Sequence, residues 1–205
     1  MFYDISPKIS ETCPVWLERQ GYKASLVTDM HRGSPCNAYA FSTPAQIGAS
    51  AVSSSHFSFK GKAIDECDLD NYIGPCQVIH VEVKPKGLIR EPMLPVDIRC
   101  ERVLIATGTF DYSKPFQKDF AALDASFIDE LGKRGVMLVG IDTPSIDLFN
   151  DSALVAHHKT LNYDMAILTG LDLKEVPNGI YELIALPLKL VGLDASPVRA
   201  ILRPQ

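Results

Sequence analysis

Tryptophan is nearly absent: Trp16 is the only one in 205 residues. Charge of one sign is scarce too, since 20 Lys and Arg stand against 25 Asp and Glu for a net charge of −5. No basic cluster interrupts that mild acidity, which excludes a surface that tracks nucleic-acid phosphates. The five cysteines (Cys13, Cys36, Cys67, Cys76, Cys100) form no CxxC pair. They are ordinary thiols of a reduced, cytoplasmic protein and not a disulfide framework, and no flanking sequence marks one as a nucleophile. Long hydrophobic runs are missing as well, none approaching the roughly 20 residues of a membrane helix. The opening Met1-Phe2-Tyr3-Asp4-Ile5-Ser6 has no basic or apolar region of a signal peptide, so no leader is expected. Without repeats, low-complexity tracts or linkers, the chain reads as one domain over 1–205. A chain of this size leaves roughly 9,500 Å² exposed and buries about 70% of its unfolded surface, enough for a core without covalent staples.

What is present is a mixed α/β pattern with more strand than helix. Gln77–Val83, Arg102–Thr107 and Val136–Ile141 read as strands, the last two as continuous apolar runs suited to burial on both faces. Phe120, Leu123, Phe127, Ile128 and Leu131 recur at helical spacing, and Lys133-Arg134-Gly135 closes them, predicting a helix over 119–135. A second helix is predicted after Asp151-Ser152, from Ala153 to Asn162. Met165–Leu168, Ile180–Leu186 and Val198–Leu202 are strand-like, whereas 30–62, rich in Ser, Ala and Gly, reads as loop or weak strand.

Catalytic motifs are not announced. HExxH, His-x-His, GxSxG, a P-loop and GxGxxG are all missing. The histidines are His31, His56, His80, His157 and His158, and the adjacent helical pair points about 100° apart, so one of the two faces any given pocket. Asp142-Thr143-Pro144-Ser145 follows a buried strand, where α/β folds place ligands, yet it is equally a turn fixed by proline.

Several ordered blocks resemble the kynurenine formamidase branch of the cyclase-family metal-dependent hydrolases. They are Asp4-Ile5-Ser6 with Pro14-Val15-Trp16, Tyr72 to Cys76 leading into Val78-Ile79-His80, Gly140 to Ser145, Ala156-His157-His158, and Met165 to Leu168. The tail, Tyr181 to Leu188 and Leu193 to Ala200, matches most closely. The resemblance implies a swivelling β/β/α fold with a mixed sheet, a homodimer or homotetramer, and metal-activated hydrolysis of an aryl formamide.

The family signature, H-x-G-[TA]-H-x-D-x-P-x-H, aligns with Gln46 to His56, and most of it is replaced. Gln46 and Ser50 stand for the two histidine ligands, Val52 for the bridging aspartate and Ser54 for the proline. Thr169 stands for a remote glutamate, and Leu17-Glu18-Arg19 for an early Pro-Gly-Asp. Gly48, Ala49, His56 and His157 remain. A valine has no donor atom, and a dication without its carboxylates is strongly disfavoured in a buried site. The expectation is therefore no metal and no cofactor. In its place stands a neutral polar pocket of Gln46, Ser50, Ser53, Ser54, Ser55 and Thr169, with His56 and His157 as the catalytic candidates. Such a pocket binds a small molecule or transforms it by acid–base chemistry, through cyclisation, dehydration or isomerisation. Two alternatives stand beside it: a non-catalytic pseudoenzyme acting as subunit or binding partner, and an aryl-formamide hydrolase with relocated ligands such as His31. A Ser50 nucleophile activated by His56 lacks an orienting carboxylate in the sequence.

Overall fold

Alternation within the apolar strands builds the architecture. The computed structural model describes residues 2–16 and 20–204, so Leu17-Glu18-Arg19 lies outside the described residues. Four strands run parallel side by side at the centre: β5 (Ile73–His80), β7 (Arg102–Ala106), β9 (Leu138–Ile141) and β10 (Ala166–Thr169). Successive residues point to opposite faces. Val78, Leu104, Leu138 and Leu168 accordingly enter one hydrophobic cluster, and Ile79, Val103, Ile105, Val139 and Ile167 the other. A sheet covered on both faces explains why these strands read as unbroken apolar runs.

Antiparallel strands extend the sheet at both sides. On the β5 side lie β11 (Gly179–Ile184), β13 (Ile201–Pro204) and β1 (Tyr3–Asp4); on the β10 side lie β4 (Ser50–Val52) and β12 (Ala195–Pro197). The result is a nine-stranded mixed sheet. Two small sheets stand apart: β6 (Leu88–Ile89) with β8 (Ala122–Leu123), and an antiparallel ribbon of β2 (Lys23–Thr28) with β3 (Ala38–Ser42). Residues 30–62, expected to be loop or weak strand, thus supply β3 and β4.

Both helices are shorter than their periodicity predicts. α1 spans Ala125–Lys133 instead of 119–135, because Ala122 and Leu123 are drawn into β8 and the Asp124 carboxylate caps the helix by accepting from the Ser126 amide at 2.9 Å. Its end matches the forecast, with Gly135 in the left-handed region at φ 79°. α2 spans Val155–Thr160, and a single tighter turn, Leu161–Tyr163, follows it. The Asp151 side chain accepts from Ala153, one turn too early to start the helix. Asp147 does that work, accepting from the Ala156 amide at 2.8 Å and the His157 amide at 3.0 Å. No helix among the described residues is long and apolar enough to cross a membrane.

Candidate functional site

The inherited positions converge at one end of the sheet, where β4 meets β10. Ser50 pairs with Thr169 and Val52 with Ile167, so Ser50, Val52, Ile167 and Thr169 share one face. On that face the chemistry of hydroxyl, amide and methyl groups is satisfied internally. Ser50 is fully buried; its hydroxyl donates to the Ile47 carbonyl at 3.0 Å and accepts from the Ile47 amide at 3.0 Å. That local turn leaves no proton for His56 to take, which removes the structural basis for a Ser50 nucleophile. Val52 is 2% exposed and belongs to the same hydrophobic cluster as Ile79, Ile105, Ile141 and Ile167. The Gln46 amide donates to the Pro144 carbonyl at 3.2 Å and to the Thr169 hydroxyl at 3.3 Å.

The remaining serines are held elsewhere. Ser53 donates to the Asp194 carbonyl at 2.9 Å and lies 3.0 Å from the Ser55 hydroxyl. Ser54 accepts from the Lys62 amide at 2.8 Å. Gln46 and Thr169 alone of the six polar candidates line the small cavity at the centre, a space of about 20 Å³ shared with Trp16, Tyr112, Phe116 and Pro144. Trp16, Tyr112 and Phe116 supply its aromatic wall, and further rings pack around them. Trp16 lies 5.3 Å from Phe116 and 5.1 Å from Phe149 between centroids, and Phe110 lies 4.8 Å from Tyr112. Backbone packs tightly behind Gly48 and Tyr112, which line the cavity. Gly170, in the left-handed region at φ 72°, lies so close that a Cβ there would overlap the Gly48 carbonyl and come within 2.7 Å of the Tyr112 hydroxyl.

His56 and His157 do come together, with ring centroids 6.2 Å apart, and each is oriented by a carboxylate. The Nδ1 of His56 meets Asp194 Oδ2 at 2.6 Å, and the Nδ1 of His157 meets Asp147 Oδ2 at 2.6 Å. His157 is 3% exposed, whereas the His56 side chain is 20% exposed. Burial holds the His157 imidazole below its ordinary pKa, against the pull of Asp147. Burial pushes Asp147 up, but its bonds from the His157 ring and from two helix amides outweigh this and keep the carboxyl below the usual range. Both directions describe one state: a neutral imidazole donating from Nδ1 to a charged carboxylate, with Nε2 the unprotonated, acceptor nitrogen. Neither Asp147 nor Asp194 was singled out by sequence, although both sit inside or next to the blocks that carry the resemblance.

The other candidates lie apart. His31 sits in the turn Met30–Arg32 between β2 and β3 and is exposed. The His80 Nε2 donates to the Val176 carbonyl at 2.7 Å. His158, turned away from His157, is exposed. Asp142 accepts from the Thr107 and Gly108 amides and from the Thr107 hydroxyl, so the Asp142–Ser145 segment works as a clamp on the neighbouring loop. Burial pushes the thiols of Cys13, Cys67 and Cys100 up, and that of Cys76 up to about 12, the reverse of an activated nucleophile.

A hydrolytic metal ion needs three protein ligands and a position for water. Here the positions aligned with the ligands hold an amide and two hydroxyls already bonded to the protein, a valine with no donor atom, and one imidazole. Among the described residues no group of three His, Cys, Asp or Glu side chains could hold a metal ion, so His31, His56 and His157 do not form a relocated set. The residues present do not fit the metal of a hydrolase.

Solved structures of known proteins share this architecture. A potential metal-dependent hydrolase with cyclase activity superposes with a TM-score of 0.85 at 25% identity, covering 98% of this chain and 96% of that one. A predicted metal-dependent hydrolase from Bacillus stearothermophilus gives 0.81 at 26% identity, covering 98% and 97%. Isatin hydrolase A from Ralstonia solanacearum gives 0.82 at 18% identity over 98% and 91%, a likeness of fold. The family model described as "Putative cyclase" matches residues 3–148. With the mixed nine-stranded sheet, this match places the chain in the Cyclase family.

Proposed function

We propose that this chain is a member of the kynurenine formamidase branch in which the hydrolytic centre has become packing, so that the protein acts as a non-catalytic subunit. The branch assignment rests on the sequence blocks, above all Tyr181–Leu188 and Leu193–Ala200. The loss of catalysis rests on the small volume at the centre. A cavity of about 20 Å³ takes one water molecule, whereas small-molecule sites occupy roughly 300–1,000 Å³.

A second reading is favoured by one observation, the 2.6 Å contact of Asp194 with the partly exposed His56. A carboxylate-oriented imidazole that reaches solvent can move protons, and cyclisation, dehydration and isomerisation of a small molecule all need that. Here His56 would exchange the proton at Nε2, while Asp194 fixes the tautomer through Nδ1.

Incubation with an aryl formamide, with and without zinc or manganese, together with thermal melts in the same mixtures, separates the readings. The proposal expects neither amine release nor thermal stabilisation. Metal-free turnover that disappears in His56→Ala would establish the second reading, and metal-dependent turnover would overturn both.

A further inference from the structure

The parallel strands end together, and their carboxyl ends enclose a second space. β5 and β7 stop near the paired residues His80 and Ala106, β9 runs into Asp142, and β10 is followed by Leu171 to Leu173. His80, Ala106, Asp142, Leu171 and Leu173 line a cavity of about 530 Å³. Ala106, Leu171 and Leu173 belong to the cluster of Val78 and Leu104, on the face of the sheet opposite the one that carries Val52 and Ala156. The cavity thus lies across the sheet from the His56–His157 pair. Its volume falls within the roughly 300–1,000 Å³ of small-molecule sites, and α/β sheets bind ligands in crevices at the carboxyl ends of their parallel strands.

The charge inside this cavity is not balanced by the chain. Asp142 is 8% exposed, and its carboxylate receives neutral donors: the Thr107 hydroxyl at 2.8 Å and the Thr107 and Gly108 amides at 2.8 and 2.7 Å. Two carboxylate oxygens accept about four hydrogen bonds, so there is room for one more. Burial pushes this carboxyl above the usual carboxylate range, against the pull of those bonds. Among the described residues no Lys, Arg or His side chain pairs with it. The His80 ring is held by the Val176 carbonyl at 2.7 Å. The remaining charges cancel: Asp111 is paired with Lys114 at 3.2 Å, and the exposed Asp172 and Lys174 at the rim carry opposite signs. Asp142 is therefore a buried negative charge without a counter-ion, whereas buried charges are as a rule paired.

The wall beside it decides what kind of cation fits. Among the described residues no group of three His, Cys, Asp or Glu side chains could hold a metal ion, which leaves an organic cation. Phe110, Tyr112, Leu171 and Leu173 give the cavity an apolar side, and aromatic faces attract an ammonium group. We infer that this cavity binds a small organic monocation, an ammonium group on an aryl or alkyl body, with Asp142 as its counter-charge and Phe110 and Tyr112 against its apolar part. One uncompensated carboxylate selects a monocation over a diamine, and Lys174 at the rim repels a second positive charge. The inference stands apart from the proposed loss of hydrolysis, because it concerns the opposite face of the sheet and is read as binding and not as turnover.

Isothermal titration calorimetry of the full chain with phenethylamine tests it, with phenethyl alcohol and phenylpropionate as neutral and anionic comparators. Saturable binding of the amine is expected, tighter than that of the alcohol by about tenfold or more, the worth of a hydrogen bond to a charged group. The anion should not bind. Asp142→Asn should remove the preference for the amine. Because that substitution also disturbs the bonds to Thr107 and Gly108, Lys174→Glu at the exposed rim is the second variant. It should tighten the amine by about two- to fivefold, the effect of a surface charge, and leave the alcohol unchanged. Equal affinity for amine and alcohol, no saturable binding of the amine at millimolar concentration, or amine binding that neither variant changes would overturn the inference.

Discussion

Introducing at position 52 the aspartate that the formamidase resemblance implies should damage this protein and create no metal site. Val52 is 2% exposed within an aliphatic cluster, on a strand hydrogen-bonded on both sides, to β10 and β12. Val52→Asp gives up the burial of a valine side chain, about 1.5–3 kcal/mol. It also leaves a carboxyl without a partner in an apolar setting, which costs about 1–3 kcal/mol if it protonates and more if it stays charged. A total of about 4 kcal/mol lowers Tm by roughly 8–16 °C for a chain of this size, at about 2–4 °C per kcal/mol. Thermal unfolding followed by circular dichroism, with and without zinc, reads this directly. Zinc should not compensate, because a ligand stabilises a fold only where the native state binds it. A Val52→Asp protein that melts within a degree or two of wild type, or that zinc returns to the wild-type Tm, would refute the reasoning.

Two further predictions follow from the same packing. Because burial holds His157 below its ordinary pKa, the unfolded chain takes up a proton near pH 6.5 that the folded chain refuses, so stability falls as pH drops through that value. The depressed Asp147 adds a second loss below its unfolded value near 4, and His157→Gln should flatten the upper part of a denaturation-against-pH profile; an unchanged slope between pH 7 and 5 would count against the buried neutral imidazole. Gly170→Ala and Gly192→Ala both force alanine into the left-handed region, at φ 72° and 75°, but only Gly170 meets other atoms there. Gly192→Ala should cost about 1–2 kcal/mol for strain alone, and Gly170→Ala about 1–3 kcal/mol more for overlap with Gly48. Equal urea midpoints for the two variants would mean that the wall behind the centre is looser than described.

The central sheet was legible because Arg102–Ala106, Leu138–Ile141 and Ala166–Thr169 are buried on both faces and so appear as unbroken apolar runs. β12 was not, since Ala195-Ser196-Pro197 has turn-forming residues and takes its extended shape from pairing with β4. The start of α1 was misplaced for a related reason: Phe120 and Leu123 keep helical spacing, but a parallel partner strand and the Asp124 cap override it. At the site, the replaced positions could be named by resemblance, and their convergence at the β4–β10 junction follows from register. The orienting carboxylates could not. Asp147 reaches His157 across 10 residues and Asp194 reaches His56 across 138, separations that no local pattern encodes. The small size of the cavity was equally hidden, because Trp16, Tyr112 and Phe116 come from two distant segments to meet Gln46 and Thr169 around it.

Metal content per chain, measured by elemental analysis after incubation with zinc and manganese and exhaustive dialysis, tests the proposed conversion of this centre most directly. Amide, hydroxyl and valine side chains beside a single imidazole predict far less than one ion per chain. One retained zinc or manganese per chain, lost on replacing His157 with alanine, would contradict it.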